Sequence, residues 1–155
     1  MAKILGIDPG KKGGLAILTD RDKLSVAAMP VKKLPNGKVE VDALRIYVAL
    51  RKHIINFAAI EQVHAMPGQG VVSMFSFGQN YGTLLGVLDC LGIKTLRIEP
   101  SVWKSGLGLA RDKEASLEMA RKLFPKNGLD FSNPMCDGVA EAALIAHFAK
   151  KMLKL

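Results

Sequence analysis

The stretch ILGIDPGKKGGLAIL, residues 4–18, sets two apolar runs on either side of a glycine-rich turn and places one carboxylate, Asp8, where the first run meets the turn. Two largely buried strands joined as a hairpin account for this pattern. An ionised carboxylate at the rim of a core is costly unless something compensates it. Asp8 is therefore the first residue that asks for a partner.

Outward from this hairpin, TDRDK at 19–23 reads as a turn into a third strand that stops at Pro30, and KKLPNGK at 32–38 reads as a polar loop. The spacing of Leu44, Tyr47, Val48 and Ile54 predicts a helix from Val41 through Arg51. IINFAAIEQV is a short apolar run and reads as a fourth, central strand ending near Glu61. A long helix is expected over 71–90. Gly78, Gly82 and Gly86 share one face of it, either to lie close on the sheet or to meet a second subunit. IKTLRI at 93–98 makes a fifth strand, and SVWKSGLGLA is read as a connection anchored by Trp103. A helix beginning around Asp112 and Glu114 ends at Pro125, and a last helix runs from Asp137 to about residue 153. The expected fold class is α/β, a five-stranded mixed sheet with helices on both faces.

The chain has 155 residues, 49% of them hydrophobic, which suits one domain over residues 1–155. No secretory signal or membrane span is evident, and two cysteines, Cys90 and Cys136, are too few for a disulfide scaffold. An intracellular setting is expected: cytoplasm, nucleoid, or the host cell of a phage. The formal charge of +8, with Lys11 and Lys12 in the first turn, suits a polyanionic partner such as nucleic acid.

Asp137 and Glu141 stand four apart, so a helix carries both carboxylates on one face, where like charges repel. A divalent cation relieves that repulsion. If strands one and four are parallel neighbours, Asp8 and Glu61 reach the same edge and complete an all-oxygen cluster. Such a cluster favours magnesium or manganese over zinc. Two ions in one centre suit phosphodiester hydrolysis. Leu144, Ile145, Phe148 and Met152 are expected to continue below the acids as an apolar stripe.

ILGIDPGKKGGLAIL, AAIEQVHA and DGVAEAALIA resemble, in order, the three acidic motifs of the RuvC family of Holliday junction resolvases, within the ribonuclease H-like fold. The resemblance runs from Lys3 to about Phe148, and the length suits the phage and organellar branches. It implies a homodimer that binds four-way junction DNA and makes two symmetric cuts with two magnesium or manganese ions per site. Asp8, Glu61, Asp137 and Glu141 are the implied metal ligands, with Lys104 and Lys113 as catalytic basic positions facing the cleavage site. Lys11, Lys12, His64, Phe75, Phe77 and Arg111 join these two lysines as the expected DNA-binding set, and Gly78, Gly82 and Gly86 mark the expected dimer interface.

His64 stands where the bacterial pattern has an aromatic wedge, so Phe75 or Phe77 is the candidate for unstacking the crossover, unless these two are buried anchors of the long helix. The last two acids are four apart with glutamate second, where the bacterial pattern has two aspartates three apart. The alternatives are a ribonuclease H-like enzyme on RNA–DNA hybrids and a junction-binding protein of weak catalysis. GIDPGKKGG also resembles the first phosphate loop of actin-like ATPases and sugar kinases. Those need a second domain for which this chain has no room, and no Walker A pattern is present, so no nucleotide cofactor is expected.

Overall fold

In chain order the computed structural model contains β1 (Lys3–Asp8), β2 (Gly14–Thr19), β3 (Leu24–Ala28), β4 (Val31–Lys33), β5 (Val39–Val41), α1 (Ala43–Leu50), β6 (Phe57–Glu61), α2 (Val71–Cys90), β7 (Lys94–Ile98), α3 (Pro100–Gly106), α4 (Lys113–Leu123) and α5 (Asp137–Leu153). It describes residues 1–109, 113–125 and 137–155; Arg111, Asp112, Cys136 and the side chain of Lys113 lie outside the described residues. Among the described residues no helix is long and apolar enough to cross a membrane.

Five strands form one sheet in the order β3-β2-β1-β6-β7. β1 pairs antiparallel with β2 and parallel with β6, in the register Gly6↔Ala59 and Ile7↔Ile60. Successive side chains of a strand point to opposite faces. Ile4 and Ala59 therefore join the core beneath α5, while Leu5, Ile7, Ala58 and Ile60 join the core beneath α1 and α2. By the same alternation Asp8 and Glu61, each two residues beyond an α5-facing position, fall on the α5 side.

What lets α5 reach that side is the absence of side chains between it and β1 and β2. A Cβ at Gly6 would overlap the carbonyl oxygen of Ala142, and one at Gly14 would come within 2.7 Å of Val139 Cα. Gly13 and Gly138 form an isolated parallel bridge, so backbone touches backbone where α5 begins. Residues 138–140, 142–146 and 149 of α5 are all buried, because α4 covers the helix from the other side. Met152 departs from the expected stripe: it lies on the outer face and is 49% exposed.

Two connections expected from the sequence are corrected. Residues 32–38 are the tip of a hairpin, not a free loop: β4 and β5 pair across a turn at Asn36 and Gly37, where Gly37 takes φ +81°. Lys32 and Glu40, opposite each other in that ladder, form a 3.1 Å ion pair, and the buried Asn80 Oδ1 accepts from the Val41 N–H at 2.8 Å to fasten the hairpin onto α2. SVWKSG, the start of the expected connection, is helix, because Pro100 at the first turn is preorganised for α3.

In α1, the inward residues are Ile46 and Leu50. Leu44 and Val48 are exposed, as is Ile54 beyond the helix, and Tyr47 is partly so. The apolar repeat marks a face that the described residues leave exposed. Gly78, Gly82 and Gly86 lie on an equally open face of α2, where an added Cβ would meet nothing within 4 Å. Close approach of these glycines to the sheet is thereby excluded.

Candidate active site at the strand ends

Asp8 closes the central strand, and its Oδ1 accepts from the Gly10 N–H at 3.3 Å. The turn tightens again where the Gly13 N–H donates to Gly10 O at 2.8 Å. Glu61 closes the neighbouring parallel strand, and the Gly13–Gly138 bridge brings Asp137 to the same edge. One turn further along α5, Glu141 faces α3 and α4. All four acids are partly buried.

The two glutamates have distinct partners. Trp103, wholly buried on α3, donates its indole N–H to Glu61 Oε2 at 2.8 Å. Lys104, the next residue, donates to Glu141 Oε1 at 3.1 Å, and the hydroxyl of the buried Ser116 on α4 donates to the same oxygen at 3.4 Å. The Lys104 ammonium also sits 5.1 Å from the centre of the Trp103 ring. Neither Trp103 nor Ser116 stood among the expected site residues. The chain's single tryptophan, directly before Lys104, was the available signal for the first. A lone serine on an amphipathic helix offered none.

Burial raises the pKa of Glu61 above the ordinary glutamate value, and the charge of Glu141 adds to the rise; the Trp103 hydrogen bond and the Lys104 ammonium oppose it. A carboxyl whose folded pKa is raised contributes stability while protonated, and that contribution is lost as pH climbs through the folded value. Ionising Glu61 as pH rises through that value therefore costs stability. Glu61→Gln is expected to raise the melting temperature at pH 7, by about 2–4 °C for each kcal/mol relieved in a chain of this size. The gain should shrink as pH falls through the raised value, where wild-type Glu61 is itself neutral. Calorimetry of both proteins from pH 4 to 8 measures this, and a variant no more stable at pH 7 would contradict it.

Among the described residues no three acidic, histidine or cysteine side chains stand close enough together to hold a metal ion as they are placed. Three of the four acids are engaged within the protein: Glu61 is drawn to the indole, Glu141 to the ammonium, and Asp8 to its own turn. The donor set nonetheless fits a hard divalent cation. It is all oxygen, and it holds glutamates near enough for the charge of one to disfavour ionisation of the other.

Of the remaining expected residues, those described are placed as follows. Lys11 and Lys12 are exposed in the turn that follows Asp8. His64, in the segment after Glu61, shares a 2.7 Å hydrogen bond with Glu99 Oε1. Phe75 is 75% exposed, which excludes its being a buried anchor, and Phe77 is partly buried. Both line a groove of about 670 Å³ between the β4–β5 hairpin and α2, into which Lys11 and Lys38 also project. Further along α2, Leu44, Tyr47, Gly86 and Cys90 line a second groove, of about 590 Å³, against α1.

No family model matches the chain. Over 95 residues, 60% of the chain, it is 33% identical to the chloroplastic Holliday junction resolvase MOC1 of Chlamydomonas reinhardtii. The aligned stretch is 11% of that protein, so the chain spans about a tenth of the length of the curated relative it matches. A structure of T. thermophilus RuvC in complex with Holliday junction substrate superposes with a TM-score of 0.67, covering 98% of this chain and 96% of that one at 19% identity. A second Thermus thermophilus RuvC structure gives a TM-score of 0.62 over 97% and 96% of the two chains, at 20% identity. The five-stranded mixed sheet covered on both faces is thus the fold of RuvC, and the chain has the ribonuclease H-like architecture its acidic motifs suggest.

Proposed function

We propose that this protein belongs with the RuvC-like resolvases and is a structure-selective endodeoxyribonuclease that resolves four-way DNA junctions by paired, symmetric phosphodiester hydrolysis. The observation that carries the reading is the arrival of Asp8, Glu61, Asp137 and Glu141, from two parallel strands and one helix, at one edge and one face of a sheet in a chain of charge +8. The likeness to MOC1 and to RuvC supports a junction as the substrate.

The four carboxylates are the ligands for magnesium or manganese, two ions per site. When bound, the ions supply an activated water and stabilise the leaving oxygen. The protein's own task is to gather these carboxylates and hold the scissile phosphate beside them. Lys104 neutralises charge within the site, and Lys113 is the second catalytic lysine of this reading. Lys11, Lys12 and Arg111 engage the backbone, where a lysine neutralises phosphate without reading a base. His64, Phe75 and Phe77 lie towards the crossover, and exposed Phe75 is the best placed of the three to part stacked bases.

One acidic cluster per chain makes one cut, so two symmetric cuts require two chains. A C2 homodimer places the same patch of each subunit against its mate. The open glycine face of α2 and the outward apolar side chains of α1 support that patch as the interface. The decisive experiment compares cutting of a mobile four-way junction, a plain duplex and an RNA–DNA hybrid at matched salt, with sedimentation equilibrium on the same preparation. Paired nicks in the junction from a dimer are expected. Preferential hybrid cutting would move the assignment to ribonuclease H chemistry, and no cutting in either metal would remove the nuclease reading.

A further inference from the structure

Trp103 and Lys104 are neighbours on α3, yet each addresses a different glutamate of the candidate site. Anchoring α3 needs only a large apolar ring, and phenylalanine would serve. The indole adds an N–H whose direction is set, because the side chain is 0% exposed and packed in the core beneath α5. A buried indole N–H takes an acceptor, and here the acceptor is a carboxylate oxygen reached across 42 residues of chain.

We propose that Trp103 is a positioning residue for metal binding: by holding Oε2 it fixes the rotation of the Glu61 carboxylate and leaves Oε1 to be offered to a divalent cation. The proposal rests on the metal-dependent reading above. Hydrogen bonds that orient a ligand from outside are typically worth about 10–100-fold in metal affinity or activity. Lys104 does the same for Glu141 with a charge, so α3 presets both glutamates.

Because the chain has one tryptophan, it has one indole N–H signal in a ¹⁵N-correlated spectrum. Titrating the full-length wild type with Mg²⁺ is expected to move that signal to saturation, over the concentrations that support cutting. Trp103→Phe keeps the ring and removes the donor. Its Mn²⁺ half-saturation, read from the electron paramagnetic resonance of free Mn²⁺, should rise by about 10–100-fold. Its junction binding in calcium should match the wild type, and saturating metal should restore most of its cutting rate.

A Trp103→Phe protein with wild-type Mn²⁺ half-saturation overturns the proposal, as does an indole signal that Mg²⁺ leaves unmoved. Should the variant fail to fold, the wild-type titration decides alone. A wild type whose indole signal responds but which cuts no junction would overturn the nuclease reading and leave the positioning role standing.

Discussion

Asp8→Asn is expected to lower junction cutting by about 10²–10³-fold or more, the scale on which removing one stabiliser of transition-state charge acts. The substitution is nearly isosteric, and the asparagine Oδ1 can still accept from the Gly10 N–H, so the turn that carries Lys11 and Lys12 should survive. What is lost is one anionic oxygen from the proposed ligand set. Junction binding should hold or tighten, because a negative charge facing phosphate has gone. Binding is measured in calcium and cutting in magnesium with the same preparation. Wild-type cutting rates in the variant would take Asp8 out of the catalytic set.

Gly6→Val should be the most damaging single change to the fold. Its Cβ would overlap Ala142 O, and Ala146 N would lie 2.6 Å away, so the clash falls on helix backbone that cannot rotate aside. Overpacking of a core typically costs about 1–3 kcal/mol, and a backbone clash belongs at or beyond the top of that range. At about 2–4 °C per kcal/mol, the melting temperature should fall by roughly 6–12 °C or more. Any relief requires α5 to lift from β1, which carries Asp137 and Glu141 away from Asp8. The protein that remains folded should therefore lose cutting as well as stability. A variant that melts and cuts like wild type would show that the helix does not rest on this glycine.

The sequence made some of this legible and hid the rest for identifiable reasons. β1, α2 and α5 are long enough for their apolar period to be read, and an acid closing an apolar run announces a strand end. Asp8 and Glu61 were visible in that way. The β4–β5 hairpin was hidden because three-residue strands carry too little period to tell from a loop, although Asn36-Gly37 is a turn signal. α3 was hidden by its seven residues. In α1 the helix was readable but its inward face was not, since apolar spacing reports a stripe without saying what covers it. The Trp103 contact with Glu61 joins residues 42 apart, and no local spacing encodes it.

The seam between β1 and α5 also dates the centre within folding. β1 ends at residue 8 and α5 begins at residue 137, so bringing Asp8 together with Asp137 and Glu141 closes a loop of nearly 130 residues. Contacts this distant in sequence form slowly, after local structure has already ordered. During synthesis the chain through β7 holds Asp8 and Glu61 alone, and the second pair of carboxylates emerges with the last helix. On the proposed reading, a nascent or truncated chain lacking α5 carries only two of the four carboxylates and should bind no metal pair and cut no junction.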